Sequence, residues 1–137
     1  MKSSLLLDTC AAIWLADGQL GKDTIDLFTA EYVAGRPLYL SPISGWEIGI
    51  LIRKGHLRAR VRPAEYWRRL SGLPGLRIAE MPAWLLLGAS FLPGRPPTDP
   101  GDRIIAATAR EYGYTVVTRD PALLDYARDG HLGAIEC

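Results

Sequence analysis

Five acidic residues stand where the chain is expected to change direction: Asp8, Glu47, Asp99, Asp102 and Asp120. The densest group is Asp99-Pro100-Gly101-Asp102, with Arg103 behind it; it closes a proline-rich loop (Pro93, Pro96, Pro97) and opens an apolar-periodic helix. Bare carboxylates do not tolerate crowding. Two of them about 5 Å apart, at an effective dielectric near 20, repel by roughly 3 kcal/mol. A cluster persists by sharing protons or by binding a cation, and an all-oxygen donor set suits Mg²⁺ or Mn²⁺. Such ions activate water and clamp the charge that develops on a phosphodiester. The chemistry these residues point to is divalent-metal cleavage of nucleic acid.

Each acid also has an ordinary structural role. Asp8, Asp99 and Asp120 are good helix N-caps, and Asp99 with Asp102 resembles a capping box with Asp in place of Glu. Taken singly, each is read first as a cap. Glu47 differs, because capping does not ask for an acid at that depth of a mostly apolar helix; its ordinary role is to reach out to solvent. The joint pattern favours a shared functional site for Asp8, Glu47, Asp102 and Asp120, with Asp99 left mainly as a cap.

The elements that must position them follow from spacing. Ser4 to Leu7 is a short apolar run, a plausible buried strand, and Asp8 caps a helix that stops at Asp17-Gly18. Ile25, Phe28, Tyr32 and Val33 repeat at helical spacing up to Gly35. Pro37 to Leu40 (Leu38-Tyr39-Leu40) reads as a second strand. Ser41-Pro42 supplies a cap and a first-turn proline for the helix that carries Glu47 and ends at Lys54-Gly55. Pro63 starts a short helix, Leu76 to Ala79 is a third strand, and Pro82 to Leu92 is an apolar helix. The Asp102 helix ends at Gly113; Tyr114 to Val117 is a strand, and Asp120-Pro121 opens a last helix. Gly133 to Ile135 is a candidate edge strand. This alternation implies an α/β fold with a mostly parallel sheet covered on both faces. The C-terminal ends of parallel strands share one edge, so the topology brings the four acids to one rim.

The 137 residues fit one domain, and 48% hydrophobic with 23% charged residues argues against disorder. A net charge of +1 requires any basic surface to be local. Cys10 and Cys137 match no metal spacing and suggest a reducing, cytoplasmic setting. Lys2, Leu5 to Leu7 and Cys10 imitate a lipoprotein signal, but Asp8 interrupts the run. No stretch is long enough for a membrane span. Arg53 to Arg69 is cation-rich, with Tyr66 and Trp67 interleaved. Its arginines are balanced between phosphate contact and a solvated face, whereas Tyr66 and Trp67 read as core or interface residues. Arg103 and Arg119 adjoin quartet acids and are expected to bind substrate; their alternative is to neutralise those acids.

Taken together, Leu7-Asp8-Thr9, Ser44-Gly45-Trp46-Glu47-Ile48, Asp99 to Ala106 and Val117-Thr118-Arg119-Asp120 resemble the PIN domain and, more narrowly, VapC-type toxins of bacterial toxin–antitoxin systems. The resemblance spans the chain in order. It implies a single three-layer α/β/α sandwich over residues 1–137 and a Mg²⁺-dependent endoribonuclease. It implies that Asp8, Glu47, Asp102 and Asp120 form the acidic quartet holding the metal and a metal-activated water, with Thr118 in support. It also implies RNA as substrate, a homodimer and a VapB-like antitoxin. The glycine Gly101 and the proline-rich approach differ in detail from many members.

A receiver-like, Mg²⁺-binding phospho-acceptor module is the alternative from another class. It would need an acid pair near the first strand and a lysine after Val117; Asp8 is unpaired and no such lysine follows. A haloacid-dehalogenase-type phosphatase would need an acid where Cys10 stands.

Overall fold

A computed structural model describes residues 3–137. Five strands form one sheet: β1 (Leu5–Leu7), β2 (Leu38–Leu40), β3 (Leu76–Ile78), β4 (Thr115–Thr118) and β5 (Gly133–Glu136). Their order is β3-β2-β1-β4-β5, and every pairing is parallel. Between them run α1 (Thr9–Asp17), α2 (Lys22–Val33), α3 (Ile43–Arg53), α4 (Pro63–Ser71), α5 (Ala83–Ala89), α6 (Pro100–Tyr112) and α7 (Pro121–Arg128).

β1 lies at the centre and is buried throughout. Alternate side chains of a strand point to opposite faces, and the two cores divide along that alternation. Leu5 and Leu7 join Leu38, Leu40 and Val117 on one face, beneath Ala12 of α1, Phe28 of α2, Ile48 of α3 and Leu70 of α4. Leu6 and Val116 face the other way, against Ile105 and Ala109 of α6 and Leu123 and Tyr126 of α7. The chain moves one way from β1 through β2 to β3, then returns past β1 to β4 and β5. Right-handed crossovers therefore carry α1 to α4 over one face and α6 and α7 over the other. This is the three-layer α/β/α sandwich that the sequence predicts. α5 packs outside, on α6, through Leu85, Ala89 and Ala107.

The reversal of direction leaves a crevice where β1 and β4 end side by side, the usual place for a ligand in such a sheet. The predicted elements are all present, with shifted ends. α3 begins at Ile43, one residue past Pro42; Pro42 already has helical dihedrals, and the Ser41 hydroxyl accepts from the Ile43 amide at 3.1 Å. α5 stops at Ala89 rather than Leu92, because Gly88 and Ser90 are weak helix formers. Gly18 ends α1 and Gly113 ends α6 in the left-handed conformation (φ 69° and 72°), which costs glycine little.

Candidate functional site

Asp8 is the first residue after β1 and caps α1, its Oδ1 accepting from the Ala11 amide at 2.7 Å. Asp120 follows β4 and caps α7, its Oδ2 accepting from the Leu123 amide at 3.0 Å. Asp99 caps α6 through the Asp102 amide at 3.0 Å. Capping and convergence are thus compatible: an N-cap at a strand's C-terminal end places its carboxylate on the rim. Thr118 joins two of the acids, for its hydroxyl donates to Asp8 Oδ2 and accepts from the Asp120 amide.

Glu47 arrives from α3. The Thr9 hydroxyl donates to its Oε1 and also bonds the Ser44 hydroxyl at 2.9 Å. Its carboxylate lies against Gly101 in the first turn of α6, where an added Cβ would fall inside the Glu47 carboxylate. Gly101 thereby lets α3 and α6 close together, and Asp102 follows it directly.

The charges of these acids reach one another. Burial, then the charges of Asp120, Asp99, Glu47 and Asp8, push the Asp102 carboxyl up to about 7. Burial raises Glu47, with the Thr9 hydrogen bond opposing and Asp99 and Asp8 adding to the rise. Burial also raises Asp8, while the Thr118 and Ala11 hydrogen bonds oppose it. The Cys10 thiol, at the surface beside the site, is pushed up to about 11 by desolvation and by Asp8, Glu47, Asp102 and Asp120. The site is therefore short of positive charge, and its donors are hard oxygens suited to Mg²⁺ or Mn²⁺. Among the described residues no group of three or more acid, histidine or cysteine side chains is already arranged to hold an ion. Binding an ion would require the carboxylates to turn toward one another.

The two flanking arginines have structural partners. Arg103 was expected to contact substrate, but its Nε donates to the Ala89 carbonyl at 3.0 Å and its Nη1 to the Pro97 carbonyl at 3.1 Å. It ties the proline-rich loop to the end of α5. Arg119 is exposed; its Nε donates to the Cys137 carbonyl at 2.7 Å and its Cζ sits 3.9 Å from the centre of the Trp14 ring. Neither pairs with a quartet acid among the described residues.

Two contributions to the site are not legible in the sequence. Asp99 is more than a cap, since its charge acts on both Glu47 and Asp102. Thr9 and Ser44 hold Glu47, and the hydroxyl residue next to Asp8 in Leu7-Asp8-Thr9 was the available signal.

A family profile described as the PIN domain matches residues 5–129. No curated protein matches the chain. Among solved structures, VapBC2 from Rickettsia felis, bound to a DNA fragment from its promoter, is similar at 14% identity and TM-score 0.71, over 96% of this chain and 97% of that one. PAE2754 from Pyrobaculum aerophilum is similar at 23% identity and TM-score 0.62, over 99% and 92%. FitAcB from Neisseria gonorrhoeae is similar at 19% identity and TM-score 0.56, over 96% of each.

Proposed function

This chain belongs to the PIN domain family, and from that premise we propose that it is a metal-dependent endoribonuclease, the toxin of a toxin–antitoxin pair. In this reading residues 1–137 act as one nuclease domain. The observation that supports it is that Asp102, pushed up to about 7 by burial and then by the charges of Asp120, Asp99, Glu47 and Asp8, lies within electrostatic reach of the other three acids of the quartet. Those four carboxylates would hold Mg²⁺ or Mn²⁺. When bound, the ion supplies positive charge at a phosphodiester and lowers the pKa of water at the site.

The chain's own residues do the rest. Thr118 fixes Asp8 against Asp120; Thr9 and Ser44 fix Glu47; Gly101 gives the Glu47 carboxylate its place. One of the carboxylates that hold the ion is also placed to accept a proton from an attacking water. Arg119, exposed beside Asp120, is the flanking cation assigned to an RNA phosphate, and Arg103 holds the loop.

The similarity to VapBC2 and FitAcB supports an antitoxin partner. Pairing with a second copy is supported by exposed Trp84, Leu87 and Phe91 along and just beyond α5, an apolar surface of the kind that marks interfaces.

The test is cleavage of single-stranded RNA with Mg²⁺, with EDTA, and with Asp102→Asn. We expect cleavage in the first case alone, with Asp102→Asn folding normally. Cleavage that persists in EDTA or in Asp102→Asn rejects the assignment.

A further inference from the structure

At the far end of α1 from Asp8 lies a cavity of about 390 Å³, lined by Asp17, Arg58, Arg60, Tyr66 and Arg69 among others. Arg69 is committed elsewhere, its Nε bonding Glu65 at 3.0 Å. Arg58 and Arg60 have no ion-pair partner among the described residues. Against Asp17 alone they leave the lining positive. The Tyr66 hydroxyl is buried and has no hydrogen-bond partner among the described residues. Burial, and then the Asp17 charge, hold its pKa above the ordinary phenol range, so it remains a donor. A buried donor without an acceptor is costly. Two unpaired guanidiniums beside such a donor, in a concave wall, are matched by an anion with several acceptor oxygens.

We propose that this cavity binds a backbone phosphate of the RNA away from the bond that is cut. The inference rests on the ribonuclease reading above. α1 has nine residues, so at 1.5 Å per residue the cavity lies about 13 Å from Asp8 along the helix, a few nucleotides along a strand. The site fixes the register of the strand without reading its bases.

Binding of a labelled single-stranded RNA is measured in EDTA, so that nothing is cut, across a range of salt, for wild type and Arg58→Ala/Arg60→Ala. Both arginines are exposed, so the variant is expected to fold. Losing one neutralised phosphate should flatten the slope of log K against log salt by about 0.7 and weaken binding at low salt. In parallel, inorganic pyrophosphate is titrated while the Arg58 and Arg60 side-chain NMR signals are followed, with Tyr66→Phe as a second variant. Saturable shifts in wild type, weakened in Tyr66→Phe, support the site. RNA bound with an unchanged salt slope in the double variant overturns the cavity's role and leaves the nuclease reading standing. Pyrophosphate bound here by a wild type that neither binds nor cuts RNA overturns that reading, and the RNA assignment with it.

Discussion

Thr118 and Asp8, 110 residues apart in sequence, share a buried hydrogen bond of 2.5 Å at the point where β1 and β4 end side by side. The same hydroxyl accepts from the Asp120 amide at 2.9 Å, so one oxygen fixes two acids of the rim. Asp8 has both carboxylate oxygens occupied, the other by the Ala11 amide. Thr118→Val keeps the shape and removes the donor, leaving Asp8 Oδ2 unpaired in a buried place at a cost of about 1–3 kcal/mol. Urea unfolding should show that loss, RNA cleavage should fall, and Thr118→Ser should restore much of both. A valine variant as stable and active as wild type would show that the hydroxyl holds nothing in place.

Gly101 separates stability from activity. It lies in the first turn of α6, and helix propensity alone favours Ala over Gly by about 1 kcal/mol. The added methyl group would, however, displace the Glu47 carboxylate, the movable end of a flexible side chain. Gly101→Ala should therefore unfold no more easily than wild type while cutting RNA more slowly. Loss of both together would mean that the helix contact, rather than Glu47, is disturbed.

The sequence shows the rim clearly because three of its acids double as N-caps, two of them just after strands, where pattern and chemistry coincide. Asp8, Asp99 and Asp120 are legible for that reason. Asp99's electrostatic part was hidden by its capping role, since a cap explains an aspartate fully at the level of pattern. The partners of Arg103 are hidden for a related reason. Adjacency to Asp102 suggests substrate contact, with neutralising the acid as the alternative, but a helix turns the next residue about 100° away, and the guanidinium bonds the carbonyls of Ala89 and Pro97. Glu31 is not legible in the sequence: α2 already carries two other acids, and one more signals nothing until the fold buries it. The three-leucine β1 is too short for periodicity to classify; its sheet position rests on the parallel pairing with β2 and β4.

Stability without metal should fall as pH rises toward neutrality. Asp102 titrates at about 7 in the fold and near 3.8 when exposed. Between those values the folded chain keeps a proton that the unfolded chain has lost, so raising the pH favours unfolding. The penalty is absent below the lower value and complete above the upper one; Glu47 and Asp8 are shifted in the same direction. In EDTA, wild type should resist urea better at about pH 5 than at about pH 8, with the gap narrowed in Asp102→Asn. Added Mg²⁺ should raise stability more at the higher pH, where the carboxylates are ionised. A gap that is unchanged in Asp102→Asn would assign the effect elsewhere.

Glu31 and Arg36 provide a test of the fold away from the rim. Glu31 is fully buried in α2, and Arg36, in the turn before β2, bonds it with Nε to Oε2 at 2.7 Å and Nη2 to Oε1 at 3.3 Å. Arg36→Ala withdraws one charged, hydrogen-bonded partner from a carboxylate that lies fully buried. Arg36→Ala should therefore unfold at a lower urea concentration than wild type. RNA cleavage should be unaffected wherever the variant stays folded, because neither side chain approaches the acids of the rim. Arg36→Ala/Glu31→Gln should recover part of the loss, since a neutral amide is easier to bury than a carboxylate. If Arg36→Ala unfolds at the same urea concentration as wild type, the pair is merely tolerated and adds nothing to the joining of α2 to β2.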